Sequence, residues 1–330
     1  MRQTEDSKII YQYRSLEVFE KILEKKKIRL SDHNSFNDFM EVRWAYPNVL
    51  TELVKLYKEN PFTIKGKSGK TLNFETIAKK AFSYMSERPE DGVIFCACFS
   101  EEDDLLSQWR AYGNDGRGVA IGFDFNLLEK ECDPCFDFKP YKLNSITYIN
   151  AEEKIASSEI TKWLNNCLDH IKSSMEKYKD DDGSPTIERL AQMFIWSFLH
   201  TAMTEFIFYK NDFFKEEKEW RLIVNKKYSK TTYYTKDDKG SWKIRGMNDK
   251  FDYDFDESPE IVVESKNDRV VYYKEFDFSK LIDKGFIRKI VIGPSAFLKR
   301  EDIMQLCIKH GIPPEKLEIE ISKGTYRSVH

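Results

Sequence analysis

No stretch of this chain is apolar for long enough to cross a membrane; the fullest candidate, between residues 185 and 208, is broken by Gln192, His200 and Glu205. The opening MRQTEDSK leads into no apolar leader core, so a cytoplasmic protein is expected. Histidine is scarce, with five residues in 330, and His200 reads as a packed helix residue because no metal-spaced partner lies near it. Of six cysteines, Cys132 and Cys135 have the spacing of half a zinc site, but no second pair follows and no metal is expected. The others sit in apolar patterns that suit buried free thiols. A net charge of -3 excludes a generally basic, nucleic-acid-binding surface. There is no Ser-His-Asp order, no His-Glu-x-x-His and no dinucleotide glycine fingerprint. GNDGRG (113–118) reads as a flexible turn and lacks the helix and Gly-Lys-Ser/Thr of a phosphate loop.

Aromatic residues are abundant: 24 Phe, 17 Tyr and 6 Trp predict an aromatic core and an aromatic-lined cleft. Ile9–Tyr13 predicts a strand. Ser15 is a plausible N-cap, with Glu17 and Glu20 in the favoured first turn, for a helix whose apolar face is Leu16, Phe19, Ile22 and Leu23. Ile28 and Leu30 alternate in a second strand. HNSFNDFME (33–41) precedes a helix through Leu50, Leu53 and Leu56. VIFCACF (93–99) is a continuous apolar run, hence a strand covered on both faces. VAIGFDF (119–125) is another strand, and Gly122 inside it predicts a close backbone approach. Two amphipathic helices are expected at 151–178 and 185–208, and a β-α-β unit closes the chain. These elements predict a single α+β domain over 1–330, with a mixed sheet and a helical insertion at 151–210.

The stretch that stands out is FFKEEKEWRLIV (213–224), where a block of charge runs into an apolar, β-branched strand. Polar residues at the mouth of a rigid strand are where chemistry is usually mounted. If the strand begins within the block, Glu217 and Glu219, two apart, lean to the same side. The plainer reading is a solvated loop whose acids, beside Lys218 and Arg221, form a surface ion-pair ladder. The polar residues that stand out sit at strand ends: Arg14 after Tyr13, Ser100 after Phe99, and Glu217 and Glu219 before Trp220. An Arg offers a planar fork to a diphosphate, a Ser hydroxyl orients a ribose or an amide, and a carboxylate steadies an oxocarbenium-like transition state.

The segments YQYRS (11–15), IRLSDHNSFNDFME (28–41), CFSEEDDLLSQWRAYGNDGRGVAIGFD (98–124), EEKEWRLIV (216–224) and IRKIVIG (287–293) resemble a large bacterial family catalogued as domain of unknown function twenty-nine seventy-one. Phe39 stands where that family usually has Pro. The strand-helix-strand opening, with the Tyr13–Arg14 pair, is similar to the start of ADP-ribosyltransferase folds of the Arg/Ser/Glu-x-Glu branch. That resemblance implies largely antiparallel sheets of ADP-ribosyltransferase-like type. It also implies NAD as substrate and a macromolecular acceptor, protein or nucleic acid, in a toxin or anti-phage defence setting. By the same resemblance Arg14 binds the diphosphate, Ser100 the ribose side, Glu219 is catalytic and Glu217 activates the acceptor; Phe-Ser-Glu stands here for the usual Ser-Thr-Ser. Trp109 and Tyr112 form an aromatic wall for nicotinamide or belong to the core. Hydrolysis of NAD and a non-catalytic binding module are the alternatives.

Overall fold

A computed structural model describes residues 8–33, 45–65, 71–87, 94–132, 139–149, 158–177, 207–225, 233–236, 242–245, 261–266 and 269–326. In chain order the elements are β1 (Ile9–Arg14), α1 (Leu16–Lys25), β2 (Lys27–Asp32), α2 (Ala45–Glu59), β3 (Ile64–Lys65), β4 (Thr71–Leu72), α3 (Phe74–Glu87), β5 (Ile94–Ser100) and α4 (Leu106–Ala111). Then follow β6 (Val119–Asp124), α5 (Phe125–Glu129), β7 (Tyr141–Ser145), β8 (Thr147–Ile149), α6 (Ser158–Lys177), β9 (Tyr209–Asn211) and β10 (Glu219–Asn225). The last are β11 (Tyr233–Lys236), β12 (Trp242–Arg245), β13 (Val262–Lys266), β14 (Arg269–Asp277), β15 (Ile287–Ile292), α7 (Arg300–Lys309) and β16 (Glu318–Ile321). The class is α+β with a mixed, largely antiparallel sheet, as the sequence predicts.

The opening follows its local signals. The Ser15 side chain accepts the Val18 N–H at 3.4 Å, so the first turn of α1 is capped. Glu17 and Lys25 complement the helix dipole, and Phe19, Ile22 and Leu23 are its buried face. Lys26 ends the helix in the left-handed region (φ 57°), its N–H bonded to Ile22 O. That sharp stop turns the chain straight into β2.

The chain forms two compact units, one of residues 1–35, 94–146 and 214–330 and the other of 36–93 and 147–213. In the second unit α2 packs on α3 and α6, and Tyr57 stacks on Phe74 at 4.2 Å. Besides the expected insertion at 151–210, this unit therefore takes in residues 36–93. The helix expected at 185–208, with His200, lies outside the described residues except for Ile207 and Phe208, which form a turn. Of the polar stretch 33–41, all but His33 lies outside them too.

The first unit is built on a ten-stranded sheet in the order β13-β14-β2-β5-β1-β6-β15-β16, with β10 paired to β5 and β7 paired to β10. Within that sheet the described pairings are antiparallel except β15 with β16, the closing β-α-β unit. Phe95, Phe99, Phe123, Phe276, Phe278 and Phe286 are each at most 3% exposed. Phe123 and Phe278 both lie 5.2 Å from the Phe286 ring. Burying one phenylalanine is worth about 2 kcal/mol, against at most about 1 kcal/mol for an exposed ion pair such as Lys8–Glu101. The aromatic layer therefore outweighs the surface charges in holding this unit together.

Two glycines are required for space. A Cβ on Gly122 would lie 2.8 Å from the Tyr11 ring and 3.1 Å from the backbone oxygen of Lys289, the latter being the backbone approach expected there. A Cβ on Gly118 would lie 2.0 Å from the carbonyl oxygen of Arg14. Gly118 ends the 113–118 turn, which is tied down rather than loose: Asn114, Asp115 and Gly116 are all left-handed, Ser295 N bonds Gly116 O at 2.8 Å, and Gly293 N bonds Gly118 O at 2.9 Å. Gly311, by contrast, has φ +71° and open space around it. Gly118→Ala is expected to cost about 3 kcal/mol or more, the top of the overpacking range, and Gly311→Ala about 1 kcal/mol, the cost of one left-handed residue. Urea denaturation of the two variants checks this, and equal losses would contradict the steric argument.

Candidate functional site

β5 is the strand that ends at Ser100 and pairs with the start of β10 at Glu219. One edge pairs with β10 along its whole length, from Glu219 opposite Ser100 to Asn225 opposite Ile94. The other edge is shared: β1 touches it at Ser100, opposite Tyr11, and β2 touches it at Cys96 and Phe95. Between those contacts the sheet opens, and the Gln12 side chain substitutes for the missing ladder, its Nε2 donating to Cys98 O at 3.0 Å. Arg14 is the last residue of β1, at that opening.

Ser100 and Glu219 are thus direct neighbours across two strand ends. Ser100 is buried, and its hydroxyl donates to Glu217 O at 2.7 Å and accepts from Glu102 N at 3.1 Å. Glu101 N adds a bond to Lys218 O at 3.1 Å, and Ile146 N one to Glu219 O at 2.8 Å. The serine is a staple between the exit of β5 and the entry to β10. Lys218, at φ 43°, reverses the backbone between the two glutamates. β10 begins at Glu219, and Glu217 lies in the preceding 3-10 turn (Asp212–Glu217), so strand alternation does not put both carboxylates on one face.

The charges of this stretch divide into two environments. Lys218 is exposed and pairs with Glu102, as the surface reading expects. Glu219 is buried, and Arg221, two residues on and 1% exposed, grips it with two bonds: Nε to Oε1 at 2.7 Å and Nη2 to Oε2 at 3.2 Å. Cys98 stands opposite Arg221, with its Sγ 3.9 Å from that of Cys96. The Cys96 contact, burial and the Glu219 charge all hold the Cys98 thiol well above its usual range, against Arg221. It is a neutral thiol, not a nucleophile.

Burial also makes the Arg14 cation costlier than in water, lowering its pKa, as the nearby Arg29 does; Cys98 and Tyr112 oppose this. Arg14 therefore lies in electrostatic range of Cys98, which lies in that of Glu219. Strand parity gives Arg14 the side of Gln12, opposite to Tyr11 and Tyr13, whereas Ser100 and Glu219, in register with Tyr11, take the Tyr11 side, so the register does not bring Arg14 together with them.

The expected aromatic residues separate. Trp109 is core, 1% exposed, edge-on to Tyr13 at 4.7 Å, with its Nε1 donating to Asp104 Oδ1 at 2.7 Å. Tyr112 is 44% exposed at the end of α4. Tyr13 holds the loop after β5: its hydroxyl donates to Glu102 O at 2.7 Å and accepts from Leu105 N at 2.9 Å. Asp104 also accepts from Ser322 Oγ at 2.6 Å and Lys323 N at 2.7 Å. Sequence reading misses Gln12, Asp104 and Arg221. Asp104 is hidden in a run of four acids, whereas the two-residue spacing of Glu219 and Arg221 was a usable signal.

Cys132 donates to Leu128 O at 3.2 Å, and Cys135 lies outside the described residues. Among the described residues no group of three or more His, Cys, Asp or Glu side chains suits a metal, and no helix is long and apolar enough to cross a membrane.

Burial pushes the Tyr13 hydroxyl well above its ordinary value, against the Leu105 bond, and pushes Tyr11 up to about 12. Unfolded tyrosine loses its proton near pH 10, so above that pH the unfolded state binds fewer protons and stability falls as pH rises. Tyr13 alone contributes a slope of about 1.4 kcal/mol per pH unit between its unfolded and folded values. Urea denaturation from pH 9 to 11.5 is expected to show a slope shallower by about that amount in Tyr13→Phe; parallel curves would contradict it.

No curated protein and no solved structure matches this chain. Residues 108–222, from α4 to the middle of β10, match a family model described as protein of unknown function (DUF2971), and over that span the chain is similar to that family.

Proposed function

We propose that the unit carrying β1, β5 and β10 is an NAD-dependent ADP-ribosyltransferase-like enzyme that transfers ADP-ribose to a macromolecular acceptor. The setting implied by the resemblance, a toxin or anti-phage defence, is part of the proposal. One observation supports it: Ser100 and Glu219, 119 positions apart in sequence, are direct neighbours across two adjacent strand ends.

The chemistry follows from those groups. Nicotinamide leaves NAD as a neutral molecule from a cationic ring, so the leaving group needs no proton. The positive charge that grows on the ribose carbon needs a carboxylate, the role of Glu219. Arg14, whose cation is made costlier by burial, suits a diphosphate, whose charge offsets that cost. Ser100 acts through the backbone, holding the turn that bears Glu217, the acceptor-activating candidate.

A second reading, a non-catalytic binding module, is favoured by the pairing of Glu219 with Arg221, which satisfies both carboxylate oxygens internally. Labelled NAD incubated with the protein and cell extract separates the cases. Transfer gives free nicotinamide and label on protein or nucleic acid; a glycohydrolase gives nicotinamide without label; a binding module gives neither. Glu219→Gln is expected to lower turnover on the order of a hundredfold or more, with thermal unfolding recorded to establish that the variant is folded. Arg14→Ala is expected chiefly to weaken NAD binding, and equal calorimetric affinity with and without that side chain removes its assigned role.

A further inference from the structure

Glu219 is a carboxylate in a buried place, where burial alone favours the neutral acid. What opposes this is on the same strand. Glu219 and Arg221 are two apart on β10 and project from one face. β10 is held on both edges, with Arg221 opposite Cys98 on β5 and opposite Asn144 on β7, so the backbone from which the guanidinium reaches is fixed by two ladders. Its two bonds form a fork on the carboxylate, the geometry that fixes both distance and plane. Among the described residues of β5 and β7, the titratable groups on this face are Cys98 and Cys96 on β5 and Lys142 on β7, in register with Ile223. Lys218 and Glu217 precede it in the turn, and the Lys218 ammonium is turned to Glu102.

We propose that Arg221 is a positioning residue that holds the Glu219 carboxylate ionised and fixes the plane it presents to the ribose. The inference rests on the role given to Glu219 above and adds to it a residue that touches neither substrate nor acceptor.

The test uses full-length protein labelled with carbon-13 at the glutamate carboxyl, with the Glu219→Gln spectrum assigning the signal. The titration of Glu219 is followed in the wild type, Arg221→Gln and Arg221→Lys, and steady-state NAD turnover is measured beside it. In Arg221→Gln the Glu219 midpoint is expected to rise by on the order of one pH unit or more, carrying the acid limb of kcat with it while KM for NAD stays within about twofold. Arg221→Lys keeps the charge and loses the fork. Its midpoint is expected to stay near the wild-type value while kcat falls on the order of tenfold. An unmoved midpoint in Arg221→Gln overturns the proposal. Should that variant fail to fold, wild-type kcat in Arg221→Lys overturns it instead. A raised midpoint in a protein that shows no NAD turnover supports the hold of Arg221 on Glu219 and sinks the transferase reading, so the two failures are distinguishable.

Discussion

The pairing of β5 with three partners governs what surrounds residue 219. Its β10 edge is a complete antiparallel ladder, while its other edge is divided between β1 and β2. A strand cannot follow two diverging neighbours at once, so the sheet must part where they separate. Gln12 fills one missing bond with a side-chain amide, and the charged end of β1 is left at the parting. The incomplete pairing of that edge follows from this topology, with no loop needed to build it.

Energetically, the site is supported from two sides of very different character. Behind the sheet lies the phenylalanine layer, non-directional and worth many small contacts. On the other face Tyr13, Trp109 and Asp104 form a chain of directional bonds that reaches Ser322 and Lys323 beyond β16. The first kind of support tolerates adjustment, and the second specifies one arrangement. Ser100 belongs to the second kind, because its hydroxyl has two backbone partners in two different turns.

Much of this was legible because short-range signals and tertiary demands agree. Ser15 caps α1, residues 94–99 of the apolar run lie in a strand, and Gly122 sits where a side chain would strike Tyr11. The same agreement made Ser100 and Glu219 readable as strand ends. The failures lie where meaning depends on direction. Alternation suggests a common side for Glu217 and Glu219, but one left-handed residue, Lys218, breaks the rule between them. The looseness read into the 113–118 turn is absent because residues 293–295, distant in sequence, supply its partners. Arg221 looks like one more surface cation in a charged run until the sheet is assembled and its position proves to be interior.

The first unit is also discontinuous, composed of 1–35, 94–146 and 214–330. During synthesis β5 leaves the ribosome long before β10, and β1 waits for β5. For that interval the apolar segment Ile94–Phe99 has no lasting neighbour on the edge β10 will occupy. Non-local sheets of this kind assemble slowly and present sticky, unpaired edges while they do. The topology that makes Ser100 and Glu219 neighbours therefore also leaves the nascent chain with an exposed strand edge until β10 emerges.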